Sequence, residues 1–156
     1  MQKILISSCF LGNKVRYDGQ AKSLLHPQLQ TWQQQGRLVV ICPEVAGDLP
    51  VPRPRAEQSG DKVIDEFGND VTRAFTQGAA KALALCQQQG IRLALLKEYS
   101  PSCGANMIYD GTFSGTRIAG MGVTAKLLSE HKIQVFSEQT LEQLINLINL
   151  QEKQTS

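Results

Sequence analysis

The sequence predicts a three-layer α/β/α domain with a small, mostly parallel sheet of Rossmann-like or flavodoxin-like style. Two observations carry that prediction. Short runs rich in aliphatic and β-branched residues alternate with stretches of helical periodicity. Such alternation implies right-handed crossovers and a parallel sheet covered on both faces. A third observation bounds the architecture: 156 residues suit one domain, expected over residues 1–150, followed by a polar tail, QEKQTS, at 151–156.

The first strand is KILIS (3–7), apolar and broken by the polar SSC; a loop with Gly12 and Gly19 follows. HPQLQTWQQQG (26–36) reads as a helix, with His26 at its N-terminus, Pro27 suited to the first turn and Gly36 to the stop. RLVVIC (37–42) is the second strand. From Pro43 to Gly68 the chain carries four prolines and many turn residues, so a long irregular segment is expected, of the kind that is usually functional. Asn69 or Asp70 can cap the long helix DVTRAFTQGAAKALALCQQQ, which Gly90 ends. IRLALLK (91–97) is the third strand, followed by EYSPSCG and the irregular YDGTFSGTRIAGMG. VTAKLLSEHK (123–132) makes a helix with His131 at its C-terminus, and IQVFSE (133–138) a fourth strand. Thr140 is placed to cap a last helix with Leu141, Leu144, Ile145 and Ile148 along one face.

Composition narrows the function classes. With 42% hydrophobic and 19% charged residues the chain is an ordinary globular one. The net charge of +2 is dispersed, so there is no strong nucleic-acid signal. No apolar run of 18 residues occurs, which argues against a membrane span, and the apolar stretch before Cys9 is too short for a signal peptide. A cytoplasmic location is therefore expected, and the sequence carries no signal for an oligomeric state. In a reducing compartment the four cysteines, at 9, 42, 86 and 103, point to metal ligation, nucleophilic chemistry or core packing before disulfides.

Cys9, Cys42 and Cys103 each follow or end a predicted strand. In a parallel sheet the segments after the strands gather along one edge, where open α/β folds bind ligands, so topology alone makes these three thiols neighbours. Cys86 differs: Phe75, Ala79, Leu83 and Cys86 recur at helical spacing and place it on the buried face of the long helix. Three thiolates suit a zinc ion with an open fourth position, or a 4Fe-4S cluster with one iron free. Without a paired C-x-x-C, spacing leaves the metal open, and a metal-free cysteine nucleophile remains a further reading.

Beside the thiols stand groups able to move protons. Glu44, two residues after Cys42 in CPE, can serve as a general base, and the hydroxyls of Ser100 and Ser102, before Cys103, can relay a proton or bond a ligand. Arg53 and Arg55, in VPRPR, can hold a polar substrate if their loop covers the site. GTFSGTRIAGMG fits neither the Walker pattern nor G-x-G-x-x-G after a strand.

Taken together, ILISSCFLGNKVRYDG, ICPEVAGDLPVPRPRAE, NDVTRAFTQGA, LLKEYSPSCG, IYDGTFSGT and GVTAKLL closely resemble a bacterial family long described as a domain of unknown function, whose characterised members are thiouracil desulfidases. The likeness covers roughly residues 3–138, and CPE, PRPRAE and SPSCG are its specific blocks. The resemblance implies an oxygen-sensitive 4Fe-4S cluster held by Cys9, Cys42 and Cys103, with one iron free for the sulfur of a thiolated pyrimidine base. It further implies Glu44 as the catalytic acid and a catalytic serine in SPSC, with Ser100 preferred over Ser102. The expected activity is a non-redox desulfidase converting a 2-thiouracil-type base to uracil and hydrogen sulfide. The alternatives are a non-catalytic iron-sulfur or redox-sensing protein and a zinc hydrolase using the same three cysteines.

Overall fold

The computed structural model describes residues 1–155. In chain order the first half contains β1 (Ile4–Ser7), a 3-10 turn (Ser8–Leu11), α1 (Pro27–Gln34), β2 (Leu38–Ile41), α2 (Pro43–Ala46), β3 (Ala56–Ser59), β4 (Lys62–Asp65) and α3 (Thr72–Gln89). The second half contains β5 (Leu93–Leu95), β6 (Met107–Tyr109), β7 (Arg117–Ala119), α4 (Val123–Glu130), β8 (Gln134–Phe136), a second 3-10 turn (Glu138–Thr140) and α5 (Leu141–Thr155).

β2, β1, β5 and β8 form the central sheet in that spatial order, all parallel, with Ile4 beside both Leu38 and Leu93, and Leu93 beside Gln134. Because successive strand residues point to opposite faces, Ile4, Ile6, Leu93 and Leu95 pack against Leu29 and Trp32 of α1 and Leu144 and Ile148 of α5. Leu5, Ala94 and Leu96 face the other way, onto Ala82 and Cys86 of α3 and Ala125 and Leu128 of α4. Burial on both faces is why these strands read as unbroken apolar runs. The architecture is the expected α/β/α sandwich, and 2-1-3-4 among its parallel strands is the flavodoxin-like order.

The expectation that residues 43–68 are wholly irregular is corrected. The segment opens with the one-turn helix α2 and then folds into the antiparallel hairpin β3–β4 around Gly60 and Asp61. A Gly-Asp pair between two short strands is a hairpin signal, masked here by the four prolines before it. The stretch after residue 106 likewise holds a second hairpin, β6–β7. Capping also shifts. The carboxylate of Asp70 accepts from the amide of Thr72, whereas the last helix is entered through Ser137, whose hydroxyl accepts from Gln139 while its amide donates to Thr140 Oγ1. His26 caps α1 by accepting from the Gln28 amide, and His131 sits at the C-terminus of α4. α5 continues through Thr155; Ser156, the end of the expected polar tail, lies outside the described residues. Among the described residues no helix is long and apolar enough to cross a membrane.

Candidate iron-sulfur centre and its cavity

β2, β1 and β5 are adjacent and end on the same edge of the sheet. Cys42 follows β2 directly, Cys9 lies in the 3-10 turn after β1, and Cys103 sits in the turn that the chain enters after β5. After β1 the chain moves to one neighbour, β2, and then crosses to the other, β5. That change of direction opens a crevice at the strand ends. All three cysteines line a single cavity of about 480 Å³ there. Cys9 packs with the α1/α5 side of the sheet and Cys103 with the α3/α4 side, so the thiols meet from both layers. Cys86 is buried within the α3/α4 layer and is not among the residues lining that cavity.

The three thiols feel one another. Burial, and after it the neighbouring Cys42, push Cys9 up to about 11 against the opposing charges of Arg16 and Lys97. Cys42 is raised by burial and by Glu44, against the amides of Val45 and Glu44 and the charge of Arg53. Cys103 is raised by burial and then by Cys42 and Glu44, with the Ser7 hydroxyl acting in the opposite sense. Thiols that repel one another as thiolates suit a cationic core that takes the place of their protons. An all-sulfur donor set suits an iron-sulfur cluster. Among the described residues, no group of three or more His, Cys, Asp or Glu side chains is arranged to hold one metal ion. The donor chemistry fits a 4Fe-4S cluster, which these three thiols would hold.

Glu44 lies in the first turn of α2, beside Cys42, and Arg53 Nε donates to its Oε1 at 3.1 Å. Arg53 is nearly buried: Nη1 donates to the carbonyl of Pro50 and Nη2 to that of Val15, at 3.1 and 3.0 Å. Its guanidinium is therefore a clamp on Glu44 and two loop carbonyls, within the cavity wall. Arg55, half exposed, pairs with Glu66 at 3.6 Å and lies over the ring of Phe113. α2 is placed by a backbone crossing with α3. A Cβ on Gly78 would lie 1.9 Å from the carbonyl oxygen of Pro43, and one on Gly47 2.0 Å from that of Ala74.

The two serines of SPSC have different surroundings. Ser100 lines the cavity, and its Oγ accepts from the amides of both Ser102 and Cys103, at 3.1 and 3.0 Å. With both lone pairs so used, its proton is the one left to donate. Ser102 is fully buried, shares a 2.7 Å hydrogen bond with Thr124 and does not line the cavity. Ser102 holds the turn against α4, where Gly122 admits the Ser102 carbonyl so closely that a Cβ would meet it at 2.4 Å.

Sequence reasoning missed several cavity residues. Ser7, at the end of β1, accepts from the amide of Lys97. Lys97 reaches Glu138 at 2.7 Å. Glu98 is buried: burial raises its carboxyl, but the amides of Asn106 and Met107 win and hold it below the usual carboxylate range. The available signal was the placement of Lys-Glu directly after an apolar strand, where charge has no packing reason to be. Tyr99, Tyr109 and Arg117 complete the wall on the side of the β6–β7 hairpin.

The sequence model of a family described as 2-thiouracil desulfurase matches residues 4–140. Uncharacterized protein YbbK of Bacillus subtilis (strain 168) is 38% identical over 152 residues, spanning 91% of this chain and 99% of its own. The solved structure of the 4Fe-4S-dependent thiouracil desulfidase TudS is 52% identical and superposes with a TM-score of 0.95, covering 96% of this chain and 99% of that one.

Proposed function

Since this chain belongs to the 2-thiouracil desulfurase family, we propose that it is a desulfidase acting at a 4Fe-4S cluster on a thiolated pyrimidine base of the 2-thiouracil type, releasing uracil and hydrogen sulfide. One observation carries the reading: three cysteines from three adjacent strand ends line the same cavity as a clamped carboxylate and a donor-only serine. Cys9, Cys42 and Cys103 would hold the cluster. When bound, it supplies a Lewis-acidic iron that attracts a thiocarbonyl sulfur and makes the adjacent ring carbon easier to attack.

The protein's own groups manage protons and water. Arg53 engages Oε1 of Glu44, leaving Oε2 to take a proton from water as its oxygen adds to the ring carbon. The carbon-sulfur bond breaks and the sulfur leaves as hydrosulfide, which a proton converts to hydrogen sulfide. One water is consumed and no net electron is transferred. Ser100, whose oxygen is saturated as an acceptor, donates its proton towards the ring nitrogen and is replenished from Glu44 or solvent.

The test is anaerobic reconstitution followed by incubation with 2-thiouracil and assay of sulfide and uracil. Sulfide and uracil are expected in equal amounts. The Ser100→Ala protein should lose about 10²-fold or more in kcat, in line with loss of a positioned proton donor, while Ser102→Ala should chiefly lower stability. Absence of sulfide above the metal-free control from a protein containing four irons per chain refutes the reading.

A further inference from the structure

Of the six cations lining the cavity, four are committed to carboxylates: Arg16 to Asp18 (3.9 Å), Arg53 to Glu44, Arg55 to Glu66 and Lys97 to Glu138. The other two, Lys22 and Arg117, make no ion pair among the described residues; Arg117 lies on β7. Its guanidinium carbon lies 3.8 Å from the centre of the Tyr99 ring and 5.7 Å from that of Tyr109. At 3.8 Å a cation sits over the face of the ring, where the aromatic quadrupole attracts it. Tyr99 is held in turn: its Oη accepts from Gln139 Nε2 at 2.7 Å, and its ring lies 6.2 Å from that of Tyr109. Tyr99 also has φ +68°. That is an outlier for so bulky a residue, and such outliers persist where the surroundings over-determine a position, often beside ligands. The stack ties the hairpin to the segment that carries Ser100 and Cys103.

We propose that Arg117, laid on Tyr99, is the specificity-determining residue for the base, its N–H groups taking the exocyclic carbonyl oxygen of the thiolated pyrimidine. This assignment rests on the desulfidase reading of the same cavity. A guanidinium stacked on one ring and hydrogen-bonded to the Tyr109 side chain has already lost much of its freedom, and the donors that remain lie in its own plane, where a carbonyl oxygen in the cavity can meet them. The 2-thiouracil ring carries its oxygen on C4, meta to the C2 that bears the sulfur, so the two diverge at an angle. A ring with sulfur towards the thiols thus turns its oxygen to another part of the cavity wall, of which Arg117 forms part. Arg117 bears a positive charge not offset by a carboxylate, and it favours an acceptor there over the bare C–H of a pyrimidine lacking the oxygen.

The test uses cluster-loaded wild type, Arg117→Ala and Arg117→Lys, with uracil binding followed by calorimetry and turnover measured on 2-thiouracil and on pyrimidine-2-thione, which lacks the oxygen. Arg117→Ala should weaken uracil binding roughly ten- to a hundredfold, the range for a hydrogen bond to a charged group. Its loss on 2-thiouracil should fall mainly in KM, with iron content unchanged and pyrimidine-2-thione affected less than about threefold on the same scale. Arg117→Lys should recover little, because an ammonium lacks the planar fork. Unchanged uracil affinity, equal losses on both substrates, or no uracil binding by wild type overturns the assignment. Uracil binding that depends on Arg117 in a protein releasing no sulfide supports the assignment and refutes the desulfidase reading alone.

Discussion

Arg53→Met tests the clamp on Glu44 most directly. The Arg53 side chain is 4% exposed and that of Glu44 16%, so the pair is largely shielded from water. Methionine keeps most of the aliphatic volume but removes the donors to Glu44 Oε1, Pro50 O and Val15 O. Breaking one side of a buried pair costs about 3–5 kcal/mol, chiefly because the partner charge is left without compensation. Glu44 retains some contact with the cavity, which places the loss near the lower bound, about 3 kcal/mol. For a chain of this size that corresponds to a fall in Tm of about 6–12 °C. Glu44→Gln in the Arg53→Met background removes the orphaned charge and should regain about 1–2 kcal/mol, although alone it is destabilising. Urea unfolding of the metal-free protein, followed by far-UV circular dichroism at constant m, measures the cycle. If Arg53→Met lies within about 0.5 kcal/mol of wild type, or if the second substitution adds to the loss, Glu44 is not held by Arg53.

Three further predictions follow from burial, thiol titration and close backbone contact. Cys86→Ala should leave iron and acid-labile sulfide per chain at wild-type levels after anaerobic reconstitution and cost about 1–2 kcal/mol of packing, whereas alanine at Cys9, Cys42 or Cys103 should abolish stable loading; equal iron loss in all four would overturn the division. Burial raises Cys86 and Cys9 to about 11, so the folded metal-free protein holds these protons more tightly than the unfolded chain. Their contribution is whole below the unfolded thiol value near 9 and is lost as pH rises towards 11; the urea midpoint of the metal-free protein should fall across that window, less steeply in Cys86→Ala. Gly78→Ala places a Cβ against the Pro43 carbonyl, which only a shift of α2 relieves. A loss at or above the upper end of about 1–3 kcal/mol, with reduced iron content, is expected; a neutral Gly78→Ala would show that the helices do not need that contact.

The four parallel strands were legible because burial on both faces leaves apolar runs, and Cys86 was legible from helical spacing on α3. The meeting of Cys9, Cys42 and Cys103 followed from topology, since it needs only that parallel strands end together. The two hairpins were not legible: their strands are short and carry polar residues such as Glu57, Gln58 and Arg117, so periodicity says little. Arg53 and Arg55 look equivalent in VPRPR, and at a spacing of two an ideal extended chain would put them on one face, yet the first is buried against Glu44 and the second is half exposed beside Glu66. Ser100 and Ser102 are likewise separated by one proline and by opposite surroundings, Thr124 for the second and the cavity for the first. Such distinctions depend on which neighbour waits on each side, information held in residues far along the chain.

The placement of the proton-handling groups also limits how independently they can act. Glu44 is two residues from Cys42, and Ser100 receives the amide of Cys103 itself. Two of the three candidate ligands, Cys42 and Cys103, are therefore coupled, through one helical turn or one hydrogen bond, to a group proposed to move protons. The sheet edge fixes the thiols. The crossings at Gly47 and Gly78, and at Gly122 over Ser102, fix the short elements that carry Glu44 and Ser100. Interactions between backbones leave little room for a side-chain rotation to restore a displaced group. A shift of α2 must move both Cys42 and Glu44, so loss of cofactor and loss of proton transfer should accompany each other in variants that perturb these crossings. Side-chain changes such as Ser100→Ala, which leave the backbone crossings in place, are the ones expected to separate the two.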